Sequence, residues 1–210
     1  RIWAKVLQRR VEMGYPYIYF TDTVNNNKPE WYKDHPITHS NLCSEIALPD
    51  NERWSFVCNL SSMNVLHYDE WKDTDAVQTM IYFLDAVMSE FIEKLEALRD
   101  SNDKEYTESF YFMERAYNFA KENRALGLGV LGWHSLLQSN MIAFESVEAS
   151  LLNEEIHKTI SERAKQASQE LAEKFGEPEV LKGTGHRNAT TMAIAPTTSS
   201  AFIIGQVSQS

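Results

Sequence analysis

Only two of the 210 residues are cysteine, Cys43 and Cys58. Neither sits in a Cys-x-x-Cys pair or beside histidines at ligand spacing, which excludes the common structural zinc motifs. Nothing at the N-terminus reads as a secretory signal, so a purely structural bridge between the two thiols is not expected. No apolar run reaches the ~20 residues of a membrane-spanning helix. Positive charge is in deficit: 20 Lys and Arg against 30 Asp and Glu leave a net charge of −10. That balance argues against a general nucleic-acid-binding surface. A nucleotide held through backbone amides would not show in it. There is no internal repeat and no low-complexity segment. What remains is the composition of a soluble globular chain, 43% apolar and 24% charged, long enough for one large domain or two small ones.

Hydrophobic periodicity predicts several helices. Ile2, Trp3, Val6, Leu7 and Val11 give the first, closed by Gly14. A second runs over 74–99, with Val77, Met80, Ile81, Leu84, Met88, Phe91, Leu95 and Leu98 on one stripe and Asp73 and Asp75 placed to favour its start. After a polar connection at 100–107, residues 110–123 predict a third. The clearest is 146–175, where Leu152, Ile156, Ile160, Ala164, Ala167, Leu171 and Phe175 recur at gaps of four or three. Ser146 is placed to cap it, and Gly176 and Pro178 to stop it. Tyr17-Ile18-Tyr19-Phe20 reads as a buried strand, 21–39 as a loop, 41–48 and 54–60 as short extended segments, and 190–195 as a strand ending at Pro196. Helices interleaved with short strands predict an α/β fold.

Two motifs are decoys. Gly127-Leu128-Gly129-Val130-Leu131-Gly132 matches the dinucleotide pattern, but the segment before it predicts helix where that fingerprint needs a strand. Close backbone packing explains its glycines better. The sequons at Asn59 and Asn188 are expected to be idle without a secretory route.

Chemistry concentrates in His39-Ser40-Asn41-Leu42-Cys43-Ser44-Glu45-Ile46. In an extended segment Asn41, Cys43 and Glu45 would share one face, bringing together an amide, a thiol and a carboxylate. A lone cysteine more often acts as a small buried hydrophobe. At the other end, Pro196-Thr197-Thr198-Ser199-Ser200 sets four hydroxyl residues at a strand-to-helix turn. That is either an ordinary capped helix start or an anion cradle.

Asn41-Leu42-Cys43-Ser44-Glu45-Ile46, followed by Cys58-Asn59-Leu60-Ser61-Ser62, resembles the active-site block of class I ribonucleotide reductase large subunits. Two further blocks are similar to the same family and fall in the same order. They are Glu122-Asn123-Arg124-Ala125-Leu126-Gly127-Leu128-Gly129-Val130, and Arg187-Asn188-Ala189-Thr190 leading into Ala195-Pro196-Thr197-Thr198-Ser199-Ser200. The resemblance implies part of a ten-stranded α/β barrel with long amphipathic helices. The chain starts inside a predicted helix and ends without a terminating signal, so residues 1–210 are expected to be a central piece of that barrel, truncated at both ends.

The resemblance also implies roles. Cys43 would become the thiyl radical that removes and returns the ribose 3′-hydrogen, Glu45 the base for the 3′-hydroxyl, and Asn41 the group orienting the sugar. Cys58 would be one of two reducing thiols, with its partner outside these residues. Substrate contacts would come from Ser40, Thr197, Thr198, Ser199 and Ser200. No metal or cofactor is expected to bind this segment itself. The radical would come from a metal-containing small subunit, the substrate would be a ribonucleoside diphosphate, and thioredoxin or glutaredoxin would restore the thiols. The remainder of the large subunit is a further expected partner. Neither membrane nor nucleic acid is expected as one, and the setting would be cytoplasmic. Three alternatives stay open: an adenosylcobalamin-dependent class II reductase, a cysteine hydrolase using Cys43, and a non-catalytic split piece of the large subunit.

Overall fold

The computed structural model describes all 210 residues, which divide into two compact units, Arg1–Pro49 and Asp50–Ser210. In the first unit, α1 (Ile2–Met13) forms as its periodicity predicts and ends where Gly14 turns left-handed at φ 75°. None of its residues is buried, and Ile2 and Val11 stand more than four-fifths exposed. The expected strand at Tyr17–Phe20 does not form, and Tyr17 and Phe20 are exposed. Aromatic and β-branched residues make a strand only where a neighbour completes the ladder, and no neighbour pairs with this run.

The expected loop at 21–39 instead contains α2 (Thr21–Asn27) and a 3-10 turn at Glu30–Tyr32. The asparagines that suggest a loop bond within the structure here. Asn27 Nδ2 donates to Thr23 O (2.7 Å). Asn25 Nδ2 donates to Thr21 O and Ile37 O (2.8 and 2.7 Å), while its Oδ1 accepts from Ile37 N (3.0 Å). Asn25 thus fastens a helix to a chain twelve residues away, with Tyr32 and Ile37 buried nearby in sequence.

The second unit is built on β1 (Leu60–Asn64), α3 (Tyr68–Trp71), α4 (Ala76–Arg99), α5 (Lys104–Asn123), β2 (Gly127–Leu131), α6 (Trp133–Ser139), α7 (Val147–Phe175) and α8 (Thr198–Ile203). The strands β1 and β2 pair in parallel from Leu60 opposite Gly127 to Asn64 opposite Leu131. A parallel pair needs a long crossover, supplied here by α3, α4 and α5. The extended segment expected at 54–60 joins a strand only at its last residue. The one at 190–195 reduces to a single parallel bridge between Leu128 and Met192. Two strands and this bridge are the sheet that these residues form, so the architecture is α/β but the ten-stranded barrel is not assembled within them.

The helical stripes form the core. Val77, Ile81, Leu84, Met88, Ile92 and Leu95 of α4 are buried together with Ile156, Ile160, Ala164, Ala167 and Leu171 of α7 and with Leu128 and Val130 of β2. Each large aliphatic side chain so buried contributes about 1.5–3 kcal/mol. Ser146 caps α7 by accepting from Ala149 N (3.1 Å), and Gly176 stops it at φ 83°. At α4 the cap is Thr74 Oγ1, which accepts from Ala76 N, rather than either flanking aspartate. α5 begins earlier than its apolar residues suggest, because Asp103 accepts from Glu105 N and starts the helix in a polar stretch.

Candidate functional site

The first half of the 41–48 segment is not extended as its spacing suggests. Residues 41–44 form a turn in which Ser44 N donates to Asn41 O (3.1 Å) and Ser44 adopts a left-handed φ of 69°. Asn41 Oδ1 accepts from Ile46 N (3.0 Å), so the side chain closes the turn from inside. Ile46 is buried and anchors the segment, whereas Leu42 is 92% exposed. The physical reason is local. An asparagine that bonds its own downstream backbone offers the chain an alternative to a strand. The extended backbone that would align Asn41, Cys43 and Glu45 on one face is therefore absent, and the three lie within one short turn and its exit.

Cys43 is an exposed thiol at the top of this turn, and neither cysteine is in a disulfide. In the same unit, the rings of Tyr15 and Tyr17 lie 5.2 Å apart. The Tyr17 phenol is held above its ordinary pKa first by hydrogen bonding with Tyr15, with a smaller contribution from the negative charge that Cys43 can carry. Cys43 is thus within electrostatic reach of Tyr17. Glu45 is half-buried, and its Oε2 is shielded from solvent with no hydrogen-bond partner. A shielded carboxylate oxygen without a donor is costly, and a bound hydroxyl would relieve that cost. Ser40 Oγ donates to Asn41 O (3.1 Å), which supports the turn.

The remaining residues named from the sequence lie in the second unit. Cys58 is exposed on the approach to β1. At the other end, α8 begins at Thr198 with Thr197 as its N-cap residue. Thr197 is buried, and its Oγ1 accepts from Ser210 N (3.1 Å), while Thr198 Oγ1 donates to Gln209 Oε1 (2.7 Å). Those two hydroxyls are committed to the chain's last residues. Ser199 and Ser200 are exposed, and the first amide of the helix paired within the protein is that of Ala201, to Thr197 O (2.8 Å). The backbone N–H groups of Thr198, Ser199 and Ser200 donate to nothing, as the first turn of a helix leaves them.

The glycine motif is a strand, not a phosphate loop. A Cβ on Gly127 would stand 2.3 Å from Leu60 Cδ2 and 2.8 Å from Ala193 Cβ, and one on Gly129 would stand 2.3 Å from Ala193 O. The glycines let three segments touch, as the sequence reading holds. Within the same block, Glu122 accepts from Trp54 Nε1 (2.8 Å) and pairs with Arg53. Asn59 Nδ2 donates to Leu84 O (2.8 Å), and Asn188 is buried. No group of three His, Cys, Asp or Glu side chains is placed to hold a metal ion.

Sequence reasoning missed Asp85. This carboxylate of α4 is 3% exposed. It accepts from Arg124 Nε (2.8 Å), Asn188 Nδ2 (2.9 Å) and Arg187 Nε (2.9 Å). Burial alone would raise its pKa, but the two guanidiniums outweigh burial and hold it below the usual carboxylate value. Its signal was available: a lone acidic residue beside the apolar stripe of a long helix.

The arrangement is that of an α/β chain carrying an accessible thiol on a side-chain-locked turn. Comparison with known proteins places it further. Residues 1–183 match the family model described as ribonucleotide reductase, barrel domain, and the chain belongs to that family. It is 36% identical over 212 residues to a ribonucleoside-diphosphate reductase large subunit of Invertebrate iridescent virus 3, covering 100% of this chain and 31% of that protein. It is also 36% identical to a large subunit, so named as putative, of Frog virus 3, covering 97% of this chain and 34% of the relative. Among solved structures, the class Id ribonucleotide reductase alpha subunit of Actinobacillus ureae is 54% identical with a TM-score of 0.90, over 100% of this chain and 38% of that one. The chain thus spans about a third of the length of each of these three relatives. The family model stops before the 196–200 turn, which the match to the bacterial alpha subunit includes.

Proposed function

We propose that this chain is the part of a class I ribonucleotide reductase large subunit that carries the radical thiol, inactive in isolation, and that the complete subunit reduces ribonucleoside diphosphates to 2′-deoxyribonucleoside diphosphates. The observation that carries the reading is the 41–46 turn: an exposed Cys43 thiol two residues from a carboxylate whose shielded oxygen lacks a donor. The likeness to a class Id alpha subunit supports class I over a cobalamin-dependent reductase.

The 2′-hydroxyl is a poor leaving group, so the reaction runs through radicals, which a cofactor or partner must start. In this reading a metal-containing small subunit supplies the oxidising equivalent that converts the Cys43 thiol to a thiyl. Cys43 then takes the hydrogen from C3′. Glu45 Oε2 accepts the 3′-hydroxyl proton, for which it needs approach to about 2.6–3.2 Å. The 2′-hydroxyl departs as water. Cys58 and a cysteine beyond this chain supply two electrons and two protons and become a disulfide, one proton leaving with the 2′-hydroxyl as water and the other ending in the new C2′–H bond. Glu45 returns its proton to the 3′-oxygen, and Cys43 returns the hydrogen to C3′ and is left as the thiyl. Thioredoxin or glutaredoxin reduces the disulfide by thiol exchange. Asn41 has its amide nitrogen left to orient the sugar hydroxyls, since its oxygen is committed to Ile46. The substrate diphosphate meets the open amides of Thr198, Ser199 and Ser200 and the exposed hydroxyls of Ser199 and Ser200. The setting is cytoplasmic. No helix is long and apolar enough to cross a membrane.

The test uses the full-length large subunit with its radical-generating partner and a dithiol reductant. Cys43→Ser is expected to abolish deoxyribonucleotide formation while nucleotide binding persists. Cys58→Ser is expected to allow hydrogen abstraction from C3′ but block turnover. Full activity in Cys43→Ser would refute the mechanism, and dependence on added cobalamin would move the enzyme to class II.

A further inference from the structure

Asp85 lies outside every motif, yet it is the meeting point of two of them. Arg124 ends the helix α5 in a left-handed conformation at φ 46°, three residues before β2. Arg187 and Asn188 open the segment that leads to the 196–200 turn. Asp85 Oδ1 accepts from Arg124 Nε and Asn188 Nδ2, and Oδ2 accepts from Arg187 Nε. The bonds around it are directional. Arg124 Nη2 donates to Asp85 O and to Ser89 Oγ (2.8 and 2.6 Å). Asn188 Nδ2 also reaches Arg124 O (3.1 Å). Ser168 Oγ on α7 accepts from the backbone N–H of both Arg187 and Asn188 (3.2 and 2.9 Å).

A buried ion triad is a poor way to gain stability, since apolar packing of the same volume often does as well or better. What such a triad supplies is registry between segments. Immediately beyond it the two segments run side by side. Ala189 N donates to Asn123 O (3.0 Å), Leu126 N to Thr190 O (2.9 Å), Leu128 N to Thr191 O (2.8 Å) and Ala193 N to Leu128 O (3.3 Å). A slip of one residue here would exchange the faces of the segment. Three residues after Ala193 the turn begins.

We propose that Asp85 is a positioning residue for the 196–200 turn: by clamping Arg124, Arg187 and Asn188 it fixes the register of residues 189–193 against β2, and so the place of the open amides of Thr198, Ser199 and Ser200. The inference rests on the reading of that turn as the site of the substrate's diphosphate.

The experiment compares a nucleoside diphosphate with the corresponding nucleoside in the full-length large subunit assayed with its radical-generating partner. Asp85→Asn keeps the shape but cannot serve two guanidiniums. Its KM for the diphosphate is expected to rise about tenfold, a loss of about 1.4 kcal/mol, with kcat at saturation near wild type and nucleoside affinity unchanged. Ser168→Ala, which removes the acceptor of the Asn188 amide and leaves the Arg187 amide only Ser168 O, is expected to shift the same ratio in the same direction and carries the test if Asp85→Asn does not fold. A thermal midpoint lowered in these variants with the diphosphate-to-nucleoside ratio unchanged would make Asp85 a brace only and overturn the proposal. A wild-type subunit that binds nucleoside and diphosphate equally well would instead overturn the reading of the turn, and the proposal with it.

Discussion

Gly129→Ala puts the packing of the sheet to a quantitative test. Its new Cβ would lie 2.3 Å from Ala193 O and 3.2 Å from Ile194 Cα. Carbon and carbonyl oxygen meet without repulsion near ~3.3 Å, so the backbone must yield by about 1 Å. The obstacle is main chain, which cannot rotate aside. Two bonds tie that main chain to β2, Leu128 N to Thr191 O (2.8 Å) and Ala193 N to Leu128 O (3.3 Å). Overpacking costs about 1–3 kcal/mol, and each weakened hydrogen bond adds up to about 1 kcal/mol. The expected loss is therefore about 3 kcal/mol. Gly183→Ala is the control, because Gly183 has a φ of +82° but nothing within 4 Å of its would-be Cβ. Its cost should stay near the ~1–2 kcal/mol of left-handed strain. Urea unfolding of the full-length subunit, with hydrogen exchange at the Leu126 and Leu128 amides, separates the two. A Gly129→Ala variant no less stable than Gly183→Ala, with Leu128 protection unchanged, would refute the close-approach argument.

Two further outcomes follow from caps and charges. Ser146→Ala should lower stability by about 1 kcal/mol, the usual worth of an N-cap, read as a shift of the urea midpoint with earlier exchange at the Ala149 amide. The Asp85 network gives a pH dependence with a defined sign. Because the folded pKa of Asp85 is depressed, its ionic contribution is complete above the unfolded carboxylate value of about 3.9 and is lost as pH falls through the folded value. The stability gap between wild type and Asp85→Asn should therefore be level from neutral pH down to about 4 and close below it. A gap that closes between pH 7 and 5 would show another group at work.

The helices were legible where one side chain sets both the period and the boundary. Residues 146–175 needed only their stripe, Ser146 and Gly176 to define α7 to within a residue. The same logic failed at 104–109, where a helix begins on a polar cap before any apolar stripe starts, and at 21–27, where the asparagines that signal loops bond back into a helix. The strand β2 was hidden for a different reason. Gly-Leu-Gly-Val-Leu has weak strand propensity, and its glycines are explained only by Leu60 and Ala193, which approach from far away in sequence. Tertiary contact, not local preference, makes that strand.

The site shows the reverse case, in which identity was legible and conformation was not. Spacing by two would align Asn41, Cys43 and Glu45 only in a strand, and a strand would commit the Cys43 backbone to a ladder on one or both sides. The turn commits far less. It is closed by one backbone bond, Ser44 N to Asn41 O, and by Asn41 Oδ1 reaching past the thiol to Ile46 N. Ile46 then sinks the exit of the turn into the core while Leu42 and Cys43 remain outside. The left-handed Ser44 stores about 1 kcal/mol of strain to make this possible. The asparagine that the family resemblance assigns to the substrate thus has a second, structural task that only the folded chain reveals. That task predicts an asymmetry: Asn41→Asp keeps the oxygen that accepts from Ile46 and should preserve the turn, whereas Asn41→Leu should lose both the turn and activity. Equal hydrogen-exchange protection at the Ile46 amide in the two variants would show that the side chain does not hold the thiol in place.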